Sequence, residues 1–130
     1  MMKSPDQQLY DAVFTASLSQ GYTTYPFNPP PGTTYPYVKL GAIQIVPTAT
    51  KSYLIGTAHI TIDIWGDKKS RKKVSEMAHN LITAISKVKQ TTEGMRLHMD
   101  REAANTEVMV DNSTPEDLWR ARISLRIKIM

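Results

Sequence analysis

The chain has 130 residues, 41% of them hydrophobic and 22% charged, with a formal charge of +4 and a pI near 9.4. That length and balance fit a single domain over residues 1–130, with a core that needs no staples. The absence of cysteine excludes disulfides, thiolate metal sites and a thiol nucleophile.

Met1, Met2 and Lys3 lead into Ser4 and Pro5 rather than into the apolar run of a secretory signal. No apolar stretch approaches the roughly 20 residues of a membrane-spanning helix. The expectation is a soluble protein made in a cytoplasm, with no membrane partner. Asn112-Ser113-Thr114 matches a glycosylation acceptor, which carries no weight without secretion.

Ser4, Pro5 and Gln7 read as a helix start: a capping hydroxyl, a proline at the first helical position and a capping-box glutamine. Leu9, Val13 and Ala16 follow on one stripe, with Tyr10 and Phe14 beside them, for about 14 residues before Gly21. Residues 21–36 then hold five prolines and four aromatic rings. Pro29, Pro30 and Pro31 can continue neither a helix nor a central strand. The segment reads as a rigid loop whose rings cover the edge of the core. A partner-contact loop and a PxxP ligand at Pro26 and Pro29 are the alternatives.

Residues 37–46 read as a strand stopped by Pro47, followed by a polar connection over 48–52. Residues 53–66 read as its antiparallel partner. Ile60, Ile62 and Ile64 share one face of it, and His59, Thr61, Asp63 and Trp65 the other. Residues 67–87 carry the clearest helical period, with Val74, Ala78, Leu81, Ile85 and Val88 stepping by 4, 3, 4, 3. Met95, Leu97 and Met99 alternate, residues 100–107 are polar, and Val108 and Val110 alternate again. That is a third strand with an irregular middle. Residues 111–117 form a turn, and residues 118–129 the last strand. The predicted fold is α+β in the order α-β-β-α-β-β. It has two layers: a mostly antiparallel four-stranded sheet with both helices on one face.

Catalytic chemistry is hard to find. His59, His79 and His98 sit on three different elements without ligand spacing. There is no Gly-x-Ser-x-Gly elbow and no glycine-rich phosphate loop. Asp100 with Glu102, and Glu116 with Asp117, fall in or near turns, where acids are expected for turn geometry. Neither an enzyme activity nor a cofactor is expected.

Two basic features remain. Lys68, Lys69, Arg71, Lys72 and Lys73 put five positive charges within six residues at the start of the second helix. That helix end already carries partial positive charge, so each cation there costs about 0.3–1 kcal/mol. A cap by Asp67 or Ser70 with solvated lysines is one reading, and contact with an acidic partner or DNA phosphate is the other. In the last strand, Arg120, Arg122, Arg126 and Lys128 occupy one face opposite Ala121, Ile123, Leu125, Ile127 and Ile129. Cross-strand pairing with acids such as Asp63 or Glu107 would neutralise that face. The alternatives are an intersubunit contact or a surface facing nucleic acid, and arginine's planar five-donor fork suits both.

The chain as a whole resembles the tail terminator proteins of long-tailed bacteriophages, also called tail-completion or tail-to-head joining proteins. The resemblance rests on "LYDAV" in the opening helix, "YPYVKLG" after the proline-rich loop and "HITIDIWG" in the second strand. "VSEMAHNLITAI" in the second helix and "WRARISLRIKI" in the last strand complete it. It implies a structural virion protein that caps the tail tube at its final length and provides the surface joining the head. It further implies a homo-hexameric ring through which DNA passes. The tail tube protein and a head completion or connector protein would then be its partners. Its place would be the head-proximal end of the tail, after assembly in the host cytoplasm. On that reading Arg120, Arg122, Arg126 and Lys128 face a neighbouring subunit or the channel, and residues 68–73 meet an acidic surface of the tube or connector. Rival readings are another small head–tail connector or minor tail protein, a basic nucleic-acid-binding domain, and a small enzyme with an unrecognised site.

Overall fold

The structure, a computed structural model, describes residues 3–48 and 55–130. Its elements are helix α1 (Pro5–Ser19), strands β1 (Thr24–Tyr25), β2 (Tyr37–Thr48) and β3 (Ile55–Gly66), and helix α2 (Arg71–Ser86). Strand β4 (Leu97–Met99), a 3₁₀ turn (Arg101–Ala103), strand β5 (Asn105–Asp111) and strand β6 (Leu118–Ile129) follow.

The α+β class and the single helical layer are as expected, but the sheet is larger and mixed. It runs β1-β2-β3-β6-β4, with β5 also paired to β6. The extra strand β1 is parallel to β2, through Thr24↔Val38 and Tyr25↔Lys39. It forms because Gly21, at φ +82°, turns the chain back after α1. The expected third strand is two strands on the same edge of β6. Leu97–Met99 pairs with Ile127–Ile129, and Asn105–Asp111 with Leu118–Ser124. Asp100 separates them: its side chain accepts from the Glu102 backbone N–H at 3.2 Å and starts the 3₁₀ turn.

Both helices cover one face of the sheet. Leu9, Val13 and Ala16 from α1 meet Val74, Met77, Ala78, Leu81 and Ile85 from α2. Beneath them lie Val38, Leu40, Ile60, Ile62, Ile64, Ile123, Leu125, Ile127 and Ile129, all essentially buried. Burying a side chain of this kind contributes about 1.5–3 kcal/mol, so this one face supplies most of the drive to fold.

Strand β2 holds a β-bulge. Leu40 pairs with Ile62 and Ile43 with Ile60, so Gly41 and Ala42 together oppose Thr61. The bulge shifts the alternation by one. Val38 and Leu40 before it, and Ile43 and Ile45 after it, all reach the helical face. A β-carbon on Gly41 would stand 2.7 Å from the Thr61 carbonyl oxygen, so the close approach requires glycine.

Three local expectations change. The Ser4 hydroxyl makes no capping bond, and the Gln7 amide donates to Asp11 one turn on, at 2.8 Å, instead of closing a capping box. Pro47 does not end β2, which runs to Thr48. An edge strand tolerates proline where its missing N–H faces away from the ladder. Helix α2 begins at Arg71, because Asp67 builds a separate turn, accepting from the Lys69 N–H at 3.0 Å and the Ser70 hydroxyl at 2.7 Å. Residues 49–54, with most of the predicted connection and the first two residues of the second strand, lie outside the described residues.

Candidate functional site

The face of the sheet turned away from the helices carries the charged side chains. On β6 it presents Leu118, Arg120, Arg122, Ser124, Arg126 and Lys128. Opposite them on β3 stand Trp65, Asp63, Thr61, His59 and Thr57, from Arg120 to Lys128 in turn. On the other flank, Glu107 of β5 faces Arg122 and Met109 faces Arg120, while His98 of β4 faces Lys128.

The four basic residues of the last strand are not equivalent. Arg120 has two carboxylates: its Nε donates to Asp63 Oδ1 at 3.0 Å and its Nη1 to Asp111 Oδ2 at 3.2 Å. Its guanidinium carbon sits 4.7 Å from the Trp65 ring centroid. Its hydrogen bond to Asp63, opposed by burial, holds its pKa above the ordinary arginine value. Arg122 donates to the same Asp63 oxygen at 3.3 Å, with its side chain half exposed. Glu107, although directly opposite, is not bonded to it. Arg126 donates to Asp100, whose carboxyl that bond holds below the usual aspartate range. Lys128 is exposed and has no ion pair among the described residues.

The charge-neutralising pairs therefore involve Asp63, which was weighed from sequence, and Asp100 and Asp111, which were not. Both of the latter stand where the chain enters a turn. Their sequence reading as turn formers is correct, since Asp111 also accepts from the Ser113 N–H at 2.9 Å. The same carboxylates serve both purposes, and only register reveals the second.

The basic cluster sits at the adjacent end of the molecule. Lys68 and Lys69 belong to the Asp67 turn and border an open hollow of about 460 Å³ whose far wall is Glu116 and Asp117. Arg71 stacks over Trp119, its guanidinium carbon 5.4 Å from the ring centroid, and the Trp119 indole donates to the Lys68 carbonyl at 3.1 Å. Lys72 lies 4.0 Å from Glu76 in an exposed i,i+4 pair, and Lys73 is exposed. Trp119 and Arg120 are neighbours in β6 facing opposite sides, so one strand end braces both basic groups.

The proline-rich loop folds over the same end of the open face. It encloses a hollow of about 360 Å³ with Tyr35, Tyr37, Trp65 and Leu118. Tyr37 stacks on Tyr35 and meets Tyr25 edge-on, at 5.5 and 5.6 Å between centroids. Lys39 ties the loop down by donating to Asn28 at 2.8 Å. Phe27 alone of these rings stays largely in solvent, at 71% exposure. The rings near the basic strand are thus committed to each other or to Arg120, which leaves little aromatic surface for stacking nucleic-acid bases. Among the described residues no group of three histidines or acids is placed to hold a metal ion.

No curated protein matches the chain in sequence. Among solved structures, a chain from the virion of a native gene transfer agent particle superposes with a TM-score of 0.53 at 16% identity. That match covers 93% of this chain and 90% of the other. A second solved chain superposes with a TM-score of 0.54, also at 16% identity, over 98% and 97% of the two chains. At such identities these likenesses establish the fold. The family described as "Tail completion protein gp17" matches residues 5–129. From its first helix to the end of its last strand, the chain belongs to the tail completion protein gp17 family and is a structural protein of the phage tail.

Proposed function

We propose that this protein caps the tail tube when it reaches its final length and forms the surface to which the DNA-filled head is joined. It does so as a homo-hexameric ring at the head-proximal end, with DNA passing through. The observation that carries this reading is the division of the sheet. One face is filled by two helices, while the other, beyond the end that the proline-rich loop covers, is left bare and carries Arg122, Arg126 and Lys128 at solvent. A bare, charged face on a small virion protein has a use when it meets another subunit or lines a passage. Repetition around a ring turns a modest patch into a continuous belt.

On this reading Arg122, Arg126 and Lys128 form the working row, and Arg120 anchors it through Asp63, Asp111 and Trp65. Lys68, Lys69, Lys72 and Lys73 are the contact for an acidic surface of the tube or connector, while Arg71 holds the turn against Trp119.

Negative-stain electron microscopy of lysates from the parent phage with this gene deleted tests the proposal. Overlong tails lying apart from full heads are the expected result. Tails of normal length attached to heads would overturn it. Normal tails without heads, or heads that lose DNA, would replace capping by a joining or head-completion role.

A further inference from the structure

The sheet has two free edges. On one side β1 covers β2 only at Val38 and Lys39, so the outer edge of β2 from Leu40 to Thr48 is unpaired among the described residues. On the other side the outer edge of β5 is likewise unpaired. Free edges are normally blunted by lysines or inward-pointing charges. The stretch from Gly41 to Thr48 contains no charged residue. It also carries apolar side chains that the fold does not fully cover: Ile43 and Ile45 are partly buried, and Val46 is 49% exposed. Strand β5 matches it, with Val108 partly buried and Val110 51% exposed.

We infer that these two edges are made for each other: β2 of one copy pairs with β5 of the next, so that the sheet continues from subunit to subunit. The inference rests on the ring reading above and specifies its interface. Three observations support it. The first is direction. β2 is antiparallel to β3, β3 to β6, and β6 to β5, so β5 runs opposite to β2. A neighbour in the same orientation therefore offers β2 to β5 as an antiparallel partner, with no reversal of the subunit.

The second observation is facing. Ile43 and Ile45 lie on the helical side of β2, and Val108 and Val110 on the helical side of β5, where they oppose Ala121 and Trp119. Setting Ile45 against Val108 and Ile43 against Val110 joins the apolar pairs on one side of the extended sheet. It sets Val46 against Glu107 and Gln44 against Met109 on the other. The third is extent. The bulge at Gly41 and Ala42 and the missing N–H of Pro47 bound the ladder at both ends, which leaves Ile43 to Val46 to pair with Glu107 to Val110. Because the two edges differ, the contact is head-to-tail, the kind that closes into a ring when the rotation allows.

The chain lacks cysteine, so engineered disulfides report cleanly. The double variant Val46→Cys/Glu107→Cys is incorporated into phage particles and oxidised. A covalent ladder climbing beyond dimers to the full copy number is expected, because directly opposed residues of an antiparallel pair lie within disulfide reach. Each single variant gives at most dimers. Gln44→Cys/Glu107→Cys and Val46→Cys/Met109→Cys sample the neighbouring registers. If the tail end shows a ring by electron microscopy and none of the three pairs yields more than dimers, the edge pairing is wrong while the ring stands. If the tail end carries no ring, both readings fail together.

Val110→Lys is a check that needs no disulfide. It places a charge at an exposed position of the monomer, so the melting temperature should hold. The assembled fraction should fall by about tenfold or more, since ~1.4 kcal/mol suffices for that. Unchanged assembly would overturn the inference.

Discussion

Arg120 on β6 reaches diagonally across to Asp63 on β3, Nε to Oδ1 at 3.0 Å, with the two side chains only 19% and 9% exposed. The same carboxylate oxygen also accepts from Arg122 at 3.3 Å. One acid therefore holds two guanidinium groups that stand two residues apart and would otherwise repel each other across a strand face.

Asp63→Asn tests that role. It leaves Arg120, largely removed from water, with Asp111 as its one remaining carboxylate. A loss of about 1–3 kcal/mol in urea unfolding is expected, the range for a bond to a charged group that leaves its partner buried. Arg122→Gln removes a cation that is half in solvent and should cost less than about 1 kcal/mol. Equal losses for the two variants would show that Asp63 does not organise the pair.

Acid should weaken the fold through the aspartates. Hydrogen bonds from Arg126, and from the Ser113 hydroxyl and N–H, hold Asp100 and Asp111 respectively below the ordinary aspartate value. A carboxyl depressed in the folded state binds fewer protons there than in the unfolded chain. Its contribution is therefore complete above the unfolded value of about 3.9 and disappears as pH falls through the lower folded value. Unfolding measured from pH 6 to pH 2 should show stability declining below about pH 4. The decline should be shallower in Asp100→Asn and in Asp111→Asn. An acid limb identical to the parent's in both variants would remove these two carboxylates from the account.

The bulge offers a sharper structural test. Gly41→Ala forces a β-carbon against the Thr61 carbonyl, 2.7 Å away, and should cost about 1–3 kcal/mol as the backbone gives way. Deleting Ala42 removes the extra residue altogether. Ile43 and Ile45 would then follow Leu40 by plain alternation and stay on the helical face, opposite Ile60 and Ala58, so the variant should keep its core and be less destabilised than Gly41→Ala. A deletion that melts well below Gly41→Ala would contradict the register.

The helix stripes and the last strand were legible because each is a long segment with one period. Ala121 to Ile129 alternates without a break, and the core on that strand follows directly. The bulge was also written in the sequence, as a change of phase between Val38 and Leu40 and Ile43 and Ile45, but a reading that asks only for apolar content passes over it. Strand β1 was not legible: two residues, Thr24 and Tyr25, have no period, and only the return of the chain beside Val38 makes them a strand. The candidate site divides the same way. Alternation places all four basic side chains of β6 on one face. Which of them is neutralised depends on Asp63, Asp100 and Asp111, brought close by pairing between segments far apart in the chain.

That division sets the expectation for the working row. Arg122→Gln, Arg126→Gln and Lys128→Gln together should lower monomer stability by no more than about 1 kcal/mol for each exposed pair lost. Assembly at the tail end and plating efficiency should fall. If the triple variant assembles and plates like the parent, the row faces neither a neighbouring subunit nor the channel.

The lysine cluster makes the last case, because its two consequences have opposite signs. Lys72 and Lys73 lie in the first turn of α2, where no acid offsets the positive end of the helix. Replacing them with glutamine should stabilise the isolated protein by about 0.3–1 kcal/mol each. Lys68 and Lys69, in the preceding turn, should contribute little to folding. If the four lysines serve contact with an acidic surface, the variant Lys68→Gln/Lys69→Gln/Lys72→Gln/Lys73→Gln should melt higher than the parent and yet join tails to heads less well. The joining defect should also narrow as salt rises, because screening over about 8–10 Å already weakens the parent's contact near physiological ionic strength. A variant that melts higher and joins normally at every salt concentration would make the cluster a solvated helix start and nothing more.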